Sequence, residues 1–585
     1  MFRANKYRDC TSATLNNDSI DKIVKTAGWV ENIRDHGGIM FIDLRDHYGT
    51  VQVTMQNESL LDNVRRESAI SISGKVVRRS EDTYNTKINT GEIEIVAETL
   101  DILGQVHENL PFEPTSSRET GEDVRLKYRF LDLRNKSMQD ALILRSNVIS
   151  SMRELMSGMG FLEMQTPILS ASSPEGARDF LIPSRRHHGK FFALPQAPQI
   201  FKQLLMVSGF DRYYQIAPCF RDEDARADRT AGEFYQLDFE MAFAEQEDVF
   251  EVGEAVINTI LSKFADSEKY ASEGSPVSKI TYKDAMLKYG TDKPDLRNPL
   301  FIIDISDLFV DSDFKPFANK TVRAIRVPGM GSQSKSFFKN MEEFAFSIGM
   351  KGLGYVKVDE NGDYLGPIDK FLTDESRGAI KERGELESGD VIYFIAESDE
   401  NIAAKLAGQI REEVAVRMEM IDKLSYKACW IIDFPFYEKD DRGNPGFGHN
   451  PFSMPQGELR ALENDSPFDI LAYQYDFVLN GVELASGAVR NHNPEVMKKA
   501  FEIAGFSEEE VKAKFGALYS AFRFGAPPHA GMAFGVDRLL MILLGEENVR
   551  ETIAFPLNSN AQDVMLNAPN EVSEQQLREI HIKIR

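Results

Sequence analysis

The sequence predicts an α+β protein of several domains, and three observations support this fold class. Its 585 residues correspond to about four typical domains of ~150 residues, so several cores are expected. Short alternating runs broken by glycine turns fill the N-terminal part, whereas longer helical and strand-like segments with charged motifs follow. We therefore expect an N-terminal β-barrel, a larger domain with an antiparallel sheet, and an α+β domain inserted into it.

The composition is that of an ordinary globular chain. Hydrophobic residues make up 42%, aromatic residues 10%, and the mean hydropathy is -0.34. Neither an apolar N-terminal signal region nor a run of about 18 apolar residues occurs, so we expect a cytoplasmic protein without a membrane partner. Cys10, Cys219 and Cys429 are far apart, which favours neither a disulfide framework nor a compact zinc site.

The charge balance is acidic. With 68 Lys+Arg and 92 Asp+Glu, the formal net charge is -24. Phosphate binding requires a basic surface, so this total argues against a nucleic-acid partner. It does not exclude local basic patches, and the objection stays open at this point.

Residues 1–108 are expected to form the barrel. Alternating runs at 27–56, 68–77 and 91–100 predict about five strands, which suit a small barrel of the OB type. The exposed face of such barrels commonly binds single-stranded nucleic acid. A barrel without that role fits the pattern equally well, and residues 1–105 carry 13 Lys+Arg against 16 Asp+Glu, a balance of -3.

The rest of the chain is predicted to form a hinge and a split domain. Residues 109–138 begin with a stretch rich in Pro, Ser, Thr and Gly and are interpreted as the hinge. A helix is expected over 139–157, with Met152 and Met156 in the core. The larger domain is assigned to 139–284 and 419–585, because residues 285–418 have a looser αβ pattern and are interpreted as an insertion.

One dense group of polar residues lies between positions 199 and 240. Gln199 and Lys202 share a helix face, and Arg221 and Glu223 share one side of a predicted strand. A salt-bridged, solvent-exposed face is the alternative interpretation of these charges. Alternation in FYQLDFEM puts these side chains on one strand face: Phe234, Gln236, Asp238 and Glu240.

A second group surrounds the dipeptide Asn480-Gly481, which predicts a type I′ hairpin. In such a hairpin Val478 lies opposite Glu483, so Glu483 shares a face with Asp476. Two carboxylates in one place need a cation, and Mg²⁺ is the natural candidate. Arg490 is a candidate anion clamp; the alternative is an acidic pair on the outer face with a surface arginine.

A third group is the glycine-rich strand before an apolar helix at residues 525–545. Gly531 and Gly535 permit close approach of a ligand or backbone. The helix begins near Asp537-Arg538, where its N-terminus and the arginine suit a phosphate. This signal is weak on its own.

Together these segments resemble the signature motifs of class II aminoacyl-tRNA synthetases, most closely those of the bacterial aspartyl type. GFLEMQTPILSASSPEGARDF (160–180) is similar to motif 1, with Pro167 at a dimer interface. FRDED with EFYQLDFE is similar to motif 2, and GMAFGVDRLLMIL to motif 3. The resemblance spans almost the whole chain. It implies an anticodon-binding OB-fold barrel, an antiparallel-sheet catalytic domain, an inserted bacterial (GAD-like) domain and a homodimer.

The resemblance also implies roles for individual residues, with Arg221 and Arg538 as the catalytic pair. Mg²⁺ would be held by Asp476 and Glu483. Asparagine would be rejected because it would leave Lys202 and Arg490 buried without a counter-ion. The implied contacts are, for aspartate, Glu175, Gln199, Lys202, Arg221, Asp238, His449 and Arg490; for ATP, Arg221, Asp222, Glu223, Phe234, Glu483, Gly535, Val536, Asp537 and Arg538; and for the anticodon, Arg34, His36, Phe41, Gln52 and Glu94.

The implied reaction is the ATP-dependent attachment of aspartate to tRNA(Asp). His36, followed by two glycines, resembles the non-discriminating subgroup that also charges tRNA(Asn), after which an amidotransferase must convert the product. A solvated turn is the alternative for His36, and burial in the barrel core is the alternative for Phe41. A discriminating enzyme, an asparaginyl enzyme and a catalytically silent RNA-binding paralogue are the other functions considered. The sequence departs from the family pattern at Thr230-Ala231-Gly232, Asn450 and Ala485-Ser486.

Overall fold

The computed structural model describes residues 3–172, 177–265, 277–310, 312–440 and 442–584. The chain forms two compact units, Met1–Glu113 and Pro114–Arg585. The predicted domain boundaries at 108, 138, 284 and 418 stay predictions.

The first unit is a closed five-stranded barrel with the order β1-β2-β3-β5-β4. β3 and β5 run parallel, and the other neighbouring pairs are antiparallel. Alternation sends Ile42, Leu44, Val51 and Val53 into the core, as expected for strands buried on one face. The strands are β1 (Ile23–His36), β2 (Ile39–Asp46), β3 (Gly49–Met55), β4 (Ala69–Arg78) and β5 (Ile93–Gly104).

The second unit opens with two short helices and one long one. The long helix begins three residues before the predicted start because the Asn135 side chain accepts a hydrogen bond from the Ser137 N–H and caps it. Met152 and Met156 are buried, as predicted. Part of the predicted hinge is therefore helical. The helices are α1 (Glu122–Lys127), α2 (Arg129–Asp132) and α3 (Lys136–Gly158).

The next segments build one half of the large sheet. The predicted motif 2 strands pair in antiparallel register, with Phe234 opposite Cys219 and Asp238 opposite Gln215. The elements in chain order are β6 (Leu162–Glu163), β7 (Leu181–Pro183), β8 (Phe191–Ala193), α4 (Gln199–Val207), β9 (Arg212–Arg221), β10 (Gly232–Ala242), α5 (Gln246–Phe264), β11 (Ser278–Thr281) and α6 (Tyr282–Tyr289).

A separate five-stranded sheet follows, with the order β12-β13-β16-β14-β15. Apolar side chains form one core with Phe338, Met341 and Ile410, and another with Phe309 and Ile380. A second sheet with its own cores is what an inserted domain requires. Its elements are β12 (Ile302–Asp304), β13 (Thr321–Val327), α7 (Lys335–Ser347), β14 (Gly354–Val358), β15 (Tyr364–Leu365), α8 (Asp374–Arg383), β16 (Val391–Glu397) and α9 (Glu400–Arg417).

The chain then returns to the large sheet beside the strand it left, since β11 pairs parallel with β17, the first strand after α9. The remaining elements are β17 (Ala428–Pro435), β18 (Tyr437–Lys439), β19 (Pro445–Phe447), α10 (Glu458–Asn464), β20 (Leu471–Leu479), β21 (Val482–Val489), α11 (Pro494–Ile503), α12 (Glu508–Ala521), β22 (His529–Gly535), α13 (Val536–Leu544) and α14 (Glu574–Glu579).

In the described part of this unit the large sheet has eight strands in the order β11-β17-β20-β21-β22-β10-β9-β6. One face is covered by α3, α5 and α13, which pack against Leu237, Phe239 and Met241 of β10. Because strand side chains alternate, the intervening polar residues of β10 point to the opposite face. None of the helices in the described ranges is long and apolar enough to cross a membrane.

Candidate active site

A cleft of about 590 Å³ opens on the polar face of the large sheet. Its walls come from α4, the β9–β10 pair, the β20–β21 hairpin and the β22–α13 junction. The structure therefore brings the three sequence groups into one place. The predicted site residues that line the cleft are Gln199, Lys202, Arg221, Phe234, Asp238, His449, Asp476, Glu483, Arg490, Gly535, Asp537 and Arg538.

The floor of the cleft is a buried network of four charges. Lys202 Nζ donates to Asp238 Oδ1 at 2.6 Å and lies 3.2 Å from Glu240 Oε2. Arg490 donates to both Glu240 oxygens, at 2.7 and 3.1 Å. All four side chains are at most 2% exposed. For Asp238 and Glu240, the interpretation of this strand face as solvent-exposed and salt-bridged is therefore wrong.

A glycine on the neighbouring strand makes room for this network. A Cβ atom at Gly531 would lie 2.1 Å from the Phe239 carbonyl oxygen and 2.2 Å from Glu240 Oε2. The Gly531 carbonyl also accepts a hydrogen bond from Arg490 Nη2 at 3.2 Å. Any side chain at Gly531 would displace Glu240 from Arg490.

The network corrects the expected basis of amino-acid selection. Lys202 and Arg490 already have counter-ions in the protein, so an uncharged substrate would not leave them unpaired. Burial raises the pKa of Glu240, but Arg490 and Lys202 outweigh it and lower that pKa to about 2. Burial dominates at Asp238, whose pKa is raised although Lys202 opposes the shift. An anion that entered this site would have to share cations that are already paired with protein carboxylates.

Several polar side-chain atoms at the cleft have no hydrogen-bond partner among the residues that the structure describes. Such atoms are rare in folded proteins because an unpaired buried polar group costs about 1–3 kcal/mol. Their gathering around one cavity indicates a ligand that supplies both donors and acceptors. They are Gln199 Nε2, Arg221 Nε, Asp238 Oδ2 and Asp476 Oδ1.

Aromatic and cationic side chains line the part of the cleft nearest α13. The Arg221 guanidinium carbon lies 4.9 Å from the centre of the Phe234 ring, a cation–π arrangement. Arg538 Nη1 donates to the Glu483 carbonyl at 2.7 Å, and Nη2 donates to Asp228 Oδ2 at 3.1 Å. A flat ring with two arginines suits a nucleotide base and its phosphates.

Two carboxylates meet where the hairpin was predicted to place them. Asn480 and Gly481 both have positive φ, and Val478 pairs with Glu483. A bulge next to Val478 shifts the register, so Asp476 pairs with Ser486. Asp476 and Arg490 are only 5% and 1% exposed, so the outer-face alternative is wrong.

These carboxylates fit a hard divalent cation. Burial, followed by the nearby Glu483 carboxylate, raises the pKa of Asp476 well above its usual range. The unpartnered Asp476 Oδ1 is an oxygen donor of the type that Mg²⁺ prefers. In the structure Glu483 is paired with Lys293, whose Nζ lies 2.6 Å away.

Three of the predicted ATP contacts are not among the residues that line the cleft, and a fourth, Asp537, lines it but is bound to other parts of the protein. The Val536 side chain is buried in the sheet core, Asp222 is exposed, and Glu223 pairs with Arg229. Asp537 accepts from the Tyr235 N–H at 3.1 Å and also binds Arg145, so it ties α13 to α3. These roles toward ATP stay predictions.

Two further predictions concern residues near the rim. Glu175 lies outside the described residues. His449 lines the cleft but is exposed, with its ring 5.0 Å from that of Phe434 and its Nε2 3.9 Å from Glu438. The departures from the family pattern at Thr230, Asn450, Ala485 and Ser486 all line the cleft.

The residues expected to read an anticodon share the outer face of the barrel. Phe41 is half-buried outside the core, so the core-burial alternative is wrong. His36 ends β1 and meets the Phe41 ring edge-on at 5.6 Å. Arg34 donates twice to Asp43, each time at 2.7 Å. Gln52 donates to Glu94 at 2.6 Å, as their strand register requires.

Sequence reasoning assigned no site role to Glu240, which lies in the charge network, or to Asp228, Asp292 and Lys293, which line the cleft. Glu240 was placed on the correct strand face, and its period-2 spacing from Asp238 was a usable signal. Asp228 lies in the loop between β9 and β10, where no periodicity identifies a contact with Arg538. Asp292 and Lys293 lie in the segment interpreted as an insertion without motifs, so only the fold reveals them.

Comparisons with known proteins agree with this architecture. The family model described as "tRNA synthetases class II (D, K and N)" matches residues 121–559. The model described as "OB-fold nucleic acid binding domain" matches residues 24–103. Among solved structures, a putative aspartyl-tRNA synthetase from Leishmania major has a TM-score of 0.57 at 20% identity, covering 94% of both chains. Asparaginyl-tRNA synthetase from Pyrococcus horikoshii has a TM-score of 0.55 at 17% identity, covering 92% of this chain and 95% of its own.

Sequence relatives are much closer than these structures. An "Aspartate--tRNA ligase" of Streptomyces coelicolor is 52% identical over 586 residues, which are 99% of each chain. An "Aspartate--tRNA(Asp/Asn) ligase" of Rickettsia bellii is 51% identical over 594 residues, 99% of this chain and 98% of the relative. The family model covers most of the chain, and relatives match it along their whole length. This chain belongs to the class II tRNA synthetases of the D, K and N group.

Proposed function

We propose that this chain is an aspartate--tRNA(Asp/Asn) ligase. It activates L-aspartate with ATP to aspartyl-adenylate and pyrophosphate, and then transfers aspartate to the 3′ end of tRNA(Asp) and tRNA(Asn). The observation that carries the proposal is the cleft itself, in which a buried charge network adjoins unpartnered donors and acceptors. The names of the relatives agree with it.

The charges of aspartate match the available groups. The unpartnered Asp238 Oδ2 can accept a hydrogen bond from the substrate ammonium, and the unpartnered donors Gln199 Nε2 and Arg221 Nε can donate to the α-carboxylate. The side-chain carboxylate would share Lys202 and Arg490 with the protein carboxylates. Asparagine offers no charge to these cations, and a site built for an anion discriminates strongly against a neutral analogue.

The first step is an in-line displacement at phosphorus. The aspartate α-carboxylate oxygen attacks the α-phosphorus of ATP, and the bond to the bridging oxygen of pyrophosphate breaks. Arg221 and Arg538 stabilise the charge that develops on the phosphoryl oxygens. Asp476 and Glu483 would hold Mg²⁺, which supplies charge neutralisation of the polyphosphate when bound. Phe234 provides a face on which adenine can stack.

The second step moves the aspartyl group to tRNA. The 3′-hydroxyl of the terminal adenosine attacks the aspartyl carbonyl, and the bond to the phosphate oxygen breaks, so AMP leaves. The released phosphate oxygen accepts the hydroxyl proton. Binding and orientation by the protein carry this step.

Pyrophosphate exchange tests the activation step. We expect exchange into ATP that requires aspartate and Mg²⁺ and that asparagine does not support. Exchange with asparagine at the aspartate rate would identify an asparaginyl enzyme instead. A complete lack of exchange would favour a catalytically silent RNA-binding paralogue.

Dual tRNA specificity is the finer part of the proposal. His36 at the end of β1 contacts Phe41, and its flat ring with two nitrogens can tolerate either third anticodon base. The relatives at similar identity include both specificity names, so they do not decide the question. Charging of both transcripts should be observed, and His36→Leu should lower charging of tRNA(Asn) selectively. Charging of tRNA(Asp) alone by the unaltered protein would establish a discriminating enzyme.

We also propose a cytoplasmic homodimer whose Asp-tRNA(Asn) product is consumed by an amidotransferase. Leu162, Ile168 and Leu169 lie next to the predicted dimer residue Pro167 and are 54%, 47% and 53% exposed in the single chain. Exposed apolar side chains in such a group are typical of an interface. Leu169→Asp should shift the mass measured by light scattering from dimer to monomer. A monomeric unaltered protein would contradict the dimer.

A further inference from the structure

A lysine from the segment after α6 reaches the carboxylate pair of the cleft. Lys293 Nζ lies 2.6 Å from Glu483 Oε2, and the two side chains are 39% and 26% exposed. Asp292 lines the same cleft, and its charge adds to the field at Asp476. Lys293 therefore places one positive charge among three carboxylates.

Two anchors hold the segment that carries this lysine. A Cβ atom at Gly481 would lie only 3.0 Å from Asp295 Cβ, so the hairpin turn packs directly against the segment. From α9, the buried Arg411 donates to the carbonyls of Leu300 at 2.6 Å, Asn298 at 3.0 Å and Asp295 at 3.2 Å. The segment that carries Lys293 is thus held opposite Glu483 both by the β20–β21 hairpin and by α9.

Lys293 lies beside carboxylates that need a neighbouring cation. Adjacent carboxylates with little exposure require a neighbouring positive charge to stay ionised. A divalent cation bound through Glu483 would compete with the ammonium for the same carboxylate and would be repelled by it at short range. The displaced ammonium then needs a new anion, and the phosphates of ATP are the anions that the proposed function brings into this cleft.

We propose that Lys293 is the resident counter-ion of the Asp476–Glu483 pair in the nucleotide-free protein and transfers to the polyphosphate when ATP arrives with its divalent cation. This inference rests on the proposed function for its nucleotide. Its consequence is positive coupling between metal and nucleotide. Metal alone must displace the ammonium without a replacement partner, whereas metal with ATP supplies one.

Titration with Mn²⁺, followed by electron paramagnetic resonance, tests this coupling on the full chain. Affinity is measured without nucleotide and with a non-hydrolysable ATP analogue, corrected for Mn²⁺ bound by free analogue. In the unaltered protein the analogue should tighten Mn²⁺ binding by about tenfold. Lys293→Met should tighten nucleotide-free binding by about fivefold, a modest change because the pair is partly exposed. With the analogue, Lys293→Met should bind Mn²⁺ no more tightly than the unaltered protein.

Lys288→Met is the matched control, because Lys288 lies on α6 with its side chain 54% exposed; it should behave as the unaltered protein. If Lys293→Met gained the same Mn²⁺ affinity with and without the analogue, the cause would be a general charge effect and the proposal would be overturned. Mn²⁺ binding by Lys293→Met that is unchanged or weaker without nucleotide would also overturn it. Pyrophosphate exchange on the same preparation separates the two claims. If the unaltered protein catalyses pyrophosphate exchange but Lys293→Met does not change Mn²⁺ affinity as expected, only the counter-ion role is refuted. If Lys293→Met changes Mn²⁺ affinity as expected but the unaltered protein catalyses no exchange, the counter-ion role is supported and the ligase function is refuted.

Discussion

Replacing Glu240 by Gln gives the sharpest test of the buried charge network. Glu240 is fully buried and binds Arg490 through both oxygens and Lys202 through one. Glu240→Gln keeps the shape but changes the network of two cations and two anions from neutral to +1. The glutamine amide can accept from Arg490 through one oxygen instead of two, while the Gly531 carbonyl still accepts from Arg490 Nη2.

The size of the effect follows from the loss of one buried charge. Breaking a buried pair from one side typically costs about 3–5 kcal/mol. That range is a cost in folding stability, whereas the catalytic loss comes from Arg490, which loses one of its two hydrogen bonds to Glu240 and is less well oriented. A hydrogen bond to a charged group contributes about 1.5–3 kcal/mol, so we expect a loss of up to about 2.7 kcal/mol in transition-state stabilisation, or about 100-fold in kcat/KM for aspartate. The KM for ATP should change little, because Glu240 contacts Lys202 and Arg490, which we propose bind aspartate and not the phosphates of ATP.

Steady-state pyrophosphate exchange at saturating ATP measures this loss. Glu251→Gln on α5 is the control, since Glu251 is exposed and its replacement should leave both KM values unchanged. A kcat/KM for aspartate within about threefold of the unaltered protein would refute the positioning role of Glu240. So would an equal loss in the kcat/KM for ATP, because that would indicate general damage to the cleft.

Three further predictions concern metal, pH and salt. Asp476→Asn should raise the Mg²⁺ concentration needed for half-maximal exchange by about tenfold or more, since it removes a charged oxygen donor; an unchanged Mg²⁺ requirement would exclude Asp476 as a ligand. Burial lowers the pKa of His529 from 6.5 to about 4, so the unfolded chain binds its proton first as the pH falls. His529 should therefore remove about 2 kcal/mol of stability between pH 7 and pH 5. Urea unfolding of His529→Gln should show less of this loss, and an identical pH dependence would contradict it. Because the barrel carries a balance of -3, tRNA binding should depend only moderately on salt, and a steep slope would indicate a basic surface that the sequence does not suggest.

Regular repetition is what made much of this fold predictable. The strands of the barrel and of the motif 2 pair follow from period-2 alternation, and the Asn480-Gly481 dipeptide specified its hairpin turn. Phe41 shows the limit of such reasoning, because alternation alone left both its core and its surface placement open. The neighbouring core residues Ile42 and Leu44 resolve it in the structure.

The site was predictable where residues lie in motifs and was not predictable where distant segments meet. Whole-chain charge was a poor guide, since the nucleic-acid-binding family match covers a barrel that is itself mildly acidic. Arg490 and Glu240 are 250 residues apart in the chain and Lys202 and Asp238 are 36 apart, and sequence spacing does not indicate either pairing. The position of Lys293 beside Glu483 depends on the packing of Gly481 against Asp295, which the sequence pattern does not indicate.

The position of β22 in the large sheet has a consequence for synthesis of the protein. This strand ends at Gly535 and lies between β10 and β21, where Gln236 pairs with Gly535 and Ala485 with Phe534. On the ribosome, both flanking strands are complete long before their shared neighbour emerges. Until β22 is made, the edge of β10 and the edge of β21 that will pair with it have no partner strand. Such open edges are the usual sites of wrong strand pairing. A chain that stops before His529 would keep both edges open and should therefore be prone to aggregate.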